Sequence, residues 1–326
     1  MSNRNSNANM HDHDANRTEI PSILDSAHEA AAPDAGKDTE SPSHTLNMPG
    51  NGPDSLLEGC LDTDPGRWPV QLWLLGNFRL LRKGEPVSLH RRGKAIALLS
   101  YLGLHYGRRV TGEQLQTHLW PDSESIQARR SLNNLTYSLN KRLRDALGGS
   151  NLVLYKAGFY RLNLEAGLIM DIACFDELFR KGNQAAQTED VKMAAEYFRQ
   201  AAILYRGELC IDSDIQTILE RERLRNNYSL LLAHLAAFYY RSGDEASCLE
   251  YAWKLLDLDP CREDAHRLIM RAYTRSGQRA MALRHYQVCV DILKAEFNAP
   301  PETATTALFD RIRLQPDFLD SNLIES

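Results

Sequence analysis

Apolar positions along the 326 residues fall into two regimes. From Trp68 onward, short apolar runs alternate with turn residues. Val70-Gln-Leu-Trp-Leu-Leu-Gly76 reads as a strand, and Asn77-Phe-Arg-Leu-Leu-Arg82 as its hairpin partner across a Gly76–Asn77 turn. Lys83-Gly84-Glu85-Pro86 predicts a further turn, and Val87–Leu89 a third short strand. Three helical patterns follow. In the first, Ile96, Leu99 and Leu102, with Leu98 beside them, form an apolar stripe running to His105. The second opens at Thr111, whose hydroxyl can cap the helix while Gln114 reaches back, and it ends at Trp120-Pro121 because proline cannot continue it. The third runs from about Ile126 to Leu147, with Leu132, Leu135, Leu139 and Leu143 as its apolar stripe and Gly148-Gly149 as its stop. Leu152–Lys156 and Phe159–Leu164, joined by a turn at Ala157-Gly158, make a terminal hairpin. Sheet, three helices and hairpin is the order of a winged helix.

From Asp171 the pattern is helical throughout, and an internal repeat selects the helical fold. Tyr239-Tyr-Arg-Ser-Gly-Asp recurs 34 residues later as Tyr273-Thr-Arg-Ser-Gly-Gln. The same offset pairs Ala246 with Ala280, Leu249 with Leu283, Leu256 with Val290 and Leu258 with Ile292. Helix, tight glycine turn and helix at that period is the tetratricopeptide pattern, with small residues expected where paired helices approach. Val191–Tyr205 and Asp214–Arg241 extend the array less regularly. Tyr239, Tyr240, Tyr273 and Tyr286 either line a concave face or pack between helices, and packing is the favoured reading. The fold class is therefore an α+β winged helix-turn-helix domain, residues 67–166, followed by an all-α tetratricopeptide-like domain, residues 167–326.

Residues 1–66 change the picture only by subtraction. They are rich in Asn, Asp, Ser, Pro and Gly and lack periodicity, so they predict a disordered acidic tail. His11-Asp-His-Asp14 within it reads as solvated polar sequence rather than a metal site. The six cysteines are scattered without a Cys-x-x-Cys pair, which predicts reduced thiols in a cytoplasmic protein. No secretory core and no membrane-length apolar run occur in the sequence. Neither a receiver domain before the expected winged helix nor a large nucleotide-binding domain after the repeats is expected from this sequence.

Charge changes it more. The net charge of -5 conceals a segment, residues 68–164, with 15 basic and 5 acidic side chains, a net of +10. The flanking segments carry -8 and -7. A positive block between acidic blocks is the footprint of a nucleic-acid-binding domain. If the leucines of the third helix face the core, Arg130, Asn133, Asn134, Tyr137 and Lys141 fall on the opposite face, with Arg129 beside them. Arginine can read guanine and asparagine adenine in the major groove, while lysine and tyrosine suit phosphate oxygens. Lys156 at the hairpin tip can reach a phosphate or the minor groove. Arg91, Arg92 and Lys94 can meet the backbone or be solvated.

Arg91-Arg-Gly-Lys-Ala-Ile-Ala-Leu-Leu-Ser-Tyr-Leu102, Leu119-Trp-Pro-Asp122, Ala128-Arg-Arg-Ser-Leu132 and Gly158-Phe-Tyr-Arg-Leu162 resemble the OmpR-type winged helix of antibiotic-regulatory-protein (SARP-like) activators. Leu258-Asp-Pro-Cys-Arg-Glu-Asp-Ala-His-Arg-Leu-Ile-Met-Arg-Ala-Tyr273, Ala282-Leu-Arg-His-Tyr286 and Pro301-Glu-Thr303 resemble the bacterial transcriptional activator domain that follows it in that family. The resemblance covers about residues 69–315. It implies a regulator that binds direct repeats in double-stranded DNA upstream of a promoter, often as a pair of protomers, and recruits RNA polymerase. The third helix departs from the family by carrying Asn133, Ser138 and Asn140 where further arginines are usual.

Enzyme readings find no support. Gly93-Lys94 lacks the remainder of a phosphate loop, no nucleophile-elbow, zinc-protease or dinucleotide motif occurs, and no cofactor is called for. His234, His266 and His285 read as satisfied helix histidines rather than metal ligands. The rival to an activator is a protein-interaction adaptor in which the repeats act and the winged helix no longer reads DNA.

Overall fold

The computed structural model describes residues 68–89, 93–209 and 215–314; the expected acidic tail, residues 1–66, lies outside them. Strand β1, Val70–Trp73, is buried at every position, Gln71 included. It lies inside a sheet, with a neighbour on each side. β2, Arg79–Arg82, pairs antiparallel to it, and β7, Leu168–Met170, pairs parallel. With β3, Glu85–Pro86, the order is β3-β2-β1-β7. The tight turn is Lys83-Gly84 alone, both at positive φ, so Glu85 and Pro86 pair with β2 instead of turning, and Val87–Leu89 forms no strand.

Helix α1, Gly93–Leu104, is buried on more than one stripe: Ala95, Leu98, Leu99, Tyr101, Leu102 and Leu104 are covered, while Ile96 is only half-buried. β4, Val110–Thr111, leads into α2, Gly112–Leu119. The expected capping box closes α2: Gln114 N–H donates to Thr111 Oγ1 at 3.1 Å, and Thr111 N–H donates to Gln114 Oε1 at 2.8 Å. α3, Ser125–Leu143, ends four residues earlier than its leucine pattern predicts, because hydrogen-bonded turns take over from Arg144 to Gly149. β5, Val153–Lys156, and β6, Phe159–Leu162, form the hairpin across Ala157-Gly158, both at positive φ, and β6 also pairs with β4. Two central residues at positive φ match the natural twist of a two-residue hairpin.

Among the described residues, seven helices follow β7: α4 Asp171–Gln187, α5 Val191–Leu204, α6 Ile215–Ser242, α7 Glu245–Leu258, α8 Glu263–Arg275, α9 Arg279–Phe297 and α10 Thr303–Leu314. The 34-residue repeat is visible as geometry. Gly243 and Gly277 both sit at positive φ, and the Asp244 and Gln278 amides donate to Tyr239 and Tyr273 carbonyls at 3.0 and 2.7 Å. The small residues at the close approach are Cys248 and Ala282, both fully buried and also 34 apart; Ala246 and Ala280, two positions earlier, are exposed. The repeat tyrosines pack between helices. Tyr239 stacks on Tyr251, Arg275 lies over the Tyr240 ring, and Tyr286 stacks on Phe309.

The sheet and the helical array meet over one continuous core running from Trp68 to Ile269. The Gly207 segment lies against the end of β1: Gly76 N–H donates to the Glu208 carbonyl at 3.1 Å, and a Cβ on Gly207 would stand 3.3 Å from Gly76 Cα. Arg79 and Arg206 both lie over the Trp73 ring. Cys174, buried on α4, is disulfide-bonded, where the scattered cysteines predicted reduced thiols; spacing alone carries no information on pairing. Cys248, Cys261 and Cys289 are free.

α4 and α5 approach closely at Gly182. A Cβ on Gly182 would stand 2.6 Å from Phe198 Cδ1, and Phe198 is fully buried. Gly182→Ala therefore gains about 1 kcal/mol of helix propensity but overpacks a rigid ring, which costs about 1–3 kcal/mol. Chemical unfolding should show the variant less stable than the parent. An equal or raised midpoint would mean that α4 and α5 can part without loss.

Candidate nucleic-acid interface

The buried side of α3 is Ala128, Leu132, Thr136, Leu139 and Leu143. Thr136 takes the place expected of Leu135, which is only half-buried; its hydroxyl donates to the Leu132 carbonyl at 2.6 Å, so a polar residue is satisfied inside the core. Three elements hold this side in place: α1, α2 and the hairpin. The hairpin attachment is specific. Asn140 donates through Nδ2 to the Val153 carbonyl at 3.0 Å and accepts from Val153 N–H at 2.8 Å. Asn140 is thus a clamp and is not free to serve a ligand.

The opposite side carries the predicted residues. Arg129, Arg130, Asn133, Asn134, Tyr137 and Lys141 are all exposed. Arg130, Asn134, Tyr137 and Lys141 follow at steps of four, three and four, a single row on a helix, with Arg129 and Asn133 in the adjacent row. Tyr137 is 69% exposed, unusual for an aromatic side chain that serves no packing role. Lys156 is exposed at the hairpin end beside the turn. Among the described residues, Arg129, Arg130, Lys141 and Lys156 make no ion pair or hydrogen bond. Other basic residues of the same segment are engaged: Arg108 with Glu220, Arg144 with the Gly149 carbonyl and Arg161 near Glu165. Arg91 and Arg92 lie outside the described residues, and Lys94 is exposed at the start of α1.

Three side chains at this face escaped the sequence reading. Ile126, 68% exposed, opens α3. Tyr155, 60% exposed, packs at a tilt of 42° against Tyr160 with ring centroids 4.7 Å apart, and Tyr160 donates to Asn133 Oδ1 at 3.3 Å. Burial raises the Tyr160 phenol above its usual range, so it stays a donor at neutral pH, although Arg129 pulls the other way. The available signal was hairpin alternation, which puts Tyr155 and Tyr160 opposite each other once Ala157-Gly158 is the turn.

Two of the repeat histidines, His266 and His285, meet in the core. His266 Nε2 contacts the Pro260 carbonyl at 2.9 Å and His266 Nδ1 lies 3.0 Å from His285 Nε2. Burial lowers the His285 pKa to about 4, and the neighbouring imidazole adds to it. One tautomer chain satisfies both neutral rings, so the pair is a core contact between α8 and α9. Among the described residues no group of three or more His, Cys, Asp or Glu could hold a metal ion, and no helix is long and apolar enough to cross a membrane.

Comparison with known proteins gives this geometry a context. The bacterial transcriptional activator domain family matches residues 170–313, from the last residue of β7 to the last helix. The chain is 30% identical to the regulatory protein AfsR of Streptomyces coelicolor over 76% of its own length, spanning 24% of AfsR. It is 24% identical to the regulatory protein DnrI of Streptomyces peucetius over 78% of its length, and there it spans 95% of the relative. In fold it is similar to Mycobacterium tuberculosis EmbR, solved in complex with a low-affinity phosphopeptide, with a TM-score of 0.59 at 22% identity over 75% of this chain and 65% of that one.

Proposed function

We propose that the chain is a SARP-like transcriptional regulator and a sequence-specific DNA-binding activator, a reading supported by its bacterial transcriptional activator domain match and its similarity to AfsR and DnrI. In this reading residues 67–166 are a winged helix-turn-helix domain, with α3 as the recognition helix and the β5–β6 hairpin as the wing. Residues 167–326 are the bacterial transcriptional activator domain. One observation carries the reading. α3 turns an uncompensated row of Arg130, Asn134, Tyr137 and Lys141 outward while its apolar side is fully engaged, within a segment of net charge +10.

The chemistry follows from that row. Arg129, Lys141 and Lys156 neutralise phosphates and set the register; Arg130, Asn133 and Asn134 meet base edges. Two protomers on direct repeats would double the contact and leave the helical array free to engage RNA polymerase. The wing is fixed to α3 through Asn140 and Val153, so both reach the duplex as one rigid surface.

Fluorescence anisotropy of the full chain on labelled duplexes from upstream of its own and neighbouring genes, across a salt series, tests this. Tight binding to one fragment that weakens steeply with salt is the expected result. Equal weak binding to every duplex, or none, would shift the function to the repeats as a protein-docking array.

A further inference from the structure

The three asparagines of α3 look equivalent in sequence, yet the structure gives each a different hydrogen-bonding state. Asn140 has both halves of its amide on the Val153 backbone. Asn133 has one half occupied, since its Oδ1 accepts from the Tyr160 hydroxyl at 3.3 Å. Asn134 is exposed, and among the described residues its amide makes no hydrogen bond. Adenine is recognised by a fork that both donates to N7 and accepts from N6, so the reading amide must have both halves free. The Asn133 oxygen keeps a second lone pair, but its bond to the Tyr160 hydroxyl turns that oxygen toward the hairpin and fixes the amide plane, whereas the fork needs oxygen and nitrogen to face one base edge together.

Building on the DNA-binding reading above, we infer that Asn134 is the adenine-reading residue of this surface and that Tyr160 holds Asn133 to a single contact. The free half of Asn133 is its Nδ2, a donor, so it suits a lone acceptor: guanine O6 or N7, thymine O4, or a phosphate oxygen. Tyr160 is well placed to enforce this. Its ring is buried, packs against Gly112 at the start of α2, and pairs across the hairpin with Tyr155. The hydroxyl therefore reports the position of both α2 and the wing to the reading face. It is a positioning residue, acting through Asn133 without touching DNA. Specificity at the Asn133 row of α3 is set by one phenol that belongs to the hairpin.

Selection from a randomised duplex library with the full chain and its variants tests the assignment. The parent should enrich a motif with one strongly preferred adenine. Asn134→Ala should lose that preference by roughly tenfold or more while keeping the rest of the motif. Replacing that adenine by 7-deazaadenine should weaken the parent and leave Asn134→Ala unchanged. Tyr160→Phe frees the second half of Asn133, so it should add a second adenine preference at a neighbouring base pair, and Asn133→Ala should abolish that addition. An adenine preference that disappears with Asn133→Ala and survives Asn134→Ala would overturn the assignment while leaving DNA binding intact. A library from which the parent enriches nothing would overturn both. Asn133 and Asn134 are exposed, so these variants decide the matter even if Tyr160→Phe proves unstable.

Discussion

Reversing charge at Arg130 and Lys141 together, as Arg130→Glu and Lys141→Glu, should lower affinity for the preferred duplex by at least about 100-fold and flatten its salt dependence. Both side chains are exposed, and among the described residues neither makes an ion pair or hydrogen bond, so their replacement leaves the fold without a lost partner. A good bidentate base contact is worth about 1–3 kcal/mol, and a phosphate contact contributes a slope of about 0.9 in log affinity against log salt. Glutamate removes the contact and adds repulsion from the nearest phosphate. Loss of a base contact at Arg130 and of a phosphate contact at Lys141 predicts weaker binding together with a slope shallower by about one or more. Lys294→Glu on α9, an exposed cation of the helical array, is the control and should change neither quantity. If the double reversal leaves affinity and slope as they were, α3 is not the surface that meets DNA. The adaptor reading would then require that partner binding by the repeats survive the same substitutions.

Where structure could be read from sequence, the determinants were local. The Thr111–Gln114 capping box, the Ala157-Gly158 turn and the paired turns at Gly243 and Gly277 each depend on residues within a few positions of one another, and each is present. The exposed row of α3 followed from period alone, since whatever lies opposite the leucines must face outward. What was not legible depends on distance along the chain. β7 is three residues long and acquires its identity only by lying parallel to β1, about a hundred positions away. Leu135 and Thr136 differ in apolarity in the direction opposite to their burial, because the Leu132 carbonyl satisfies the Thr136 hydroxyl. The equivalence of three asparagines dissolves once Val153 and Tyr160 are seen beside two of them. Likewise, Asp171 reads only as the first residue of a helix.

Removal of Asp171 should weaken the molecule severely. Its carboxylate is buried and accepts from Leu74 N–H at 2.9 and 2.8 Å, from Leu75 N–H at 2.7 Å and from Ile172 N–H at 2.9 Å, tying the start of α4 to the end of β1. Asp171→Ala leaves those buried donors without an acceptor, and at about 1–3 kcal/mol for each group the loss should reach about 3–5 kcal/mol in acid. Two influences compete over its charge. Burial raises its pKa to about 6, while the N–H donors and Arg79 pull it down. Burial prevails, and this fixes the sign of the pH dependence. The unfolded carboxyl titrates near 4, so between about pH 4 and pH 6 the folded chain holds more protons than the unfolded one. Parent stability therefore falls as pH rises through that window and levels off above it, whereas the alanine variant has no such group. The penalty of Asp171→Ala, measured by urea unfolding, should accordingly shrink by about 1 kcal/mol from pH 5 to pH 7. A penalty that grows with pH instead would mean that the backbone donors outweigh burial, and that the joint between sheet and helices is held by a carboxylate already ionised well below neutrality.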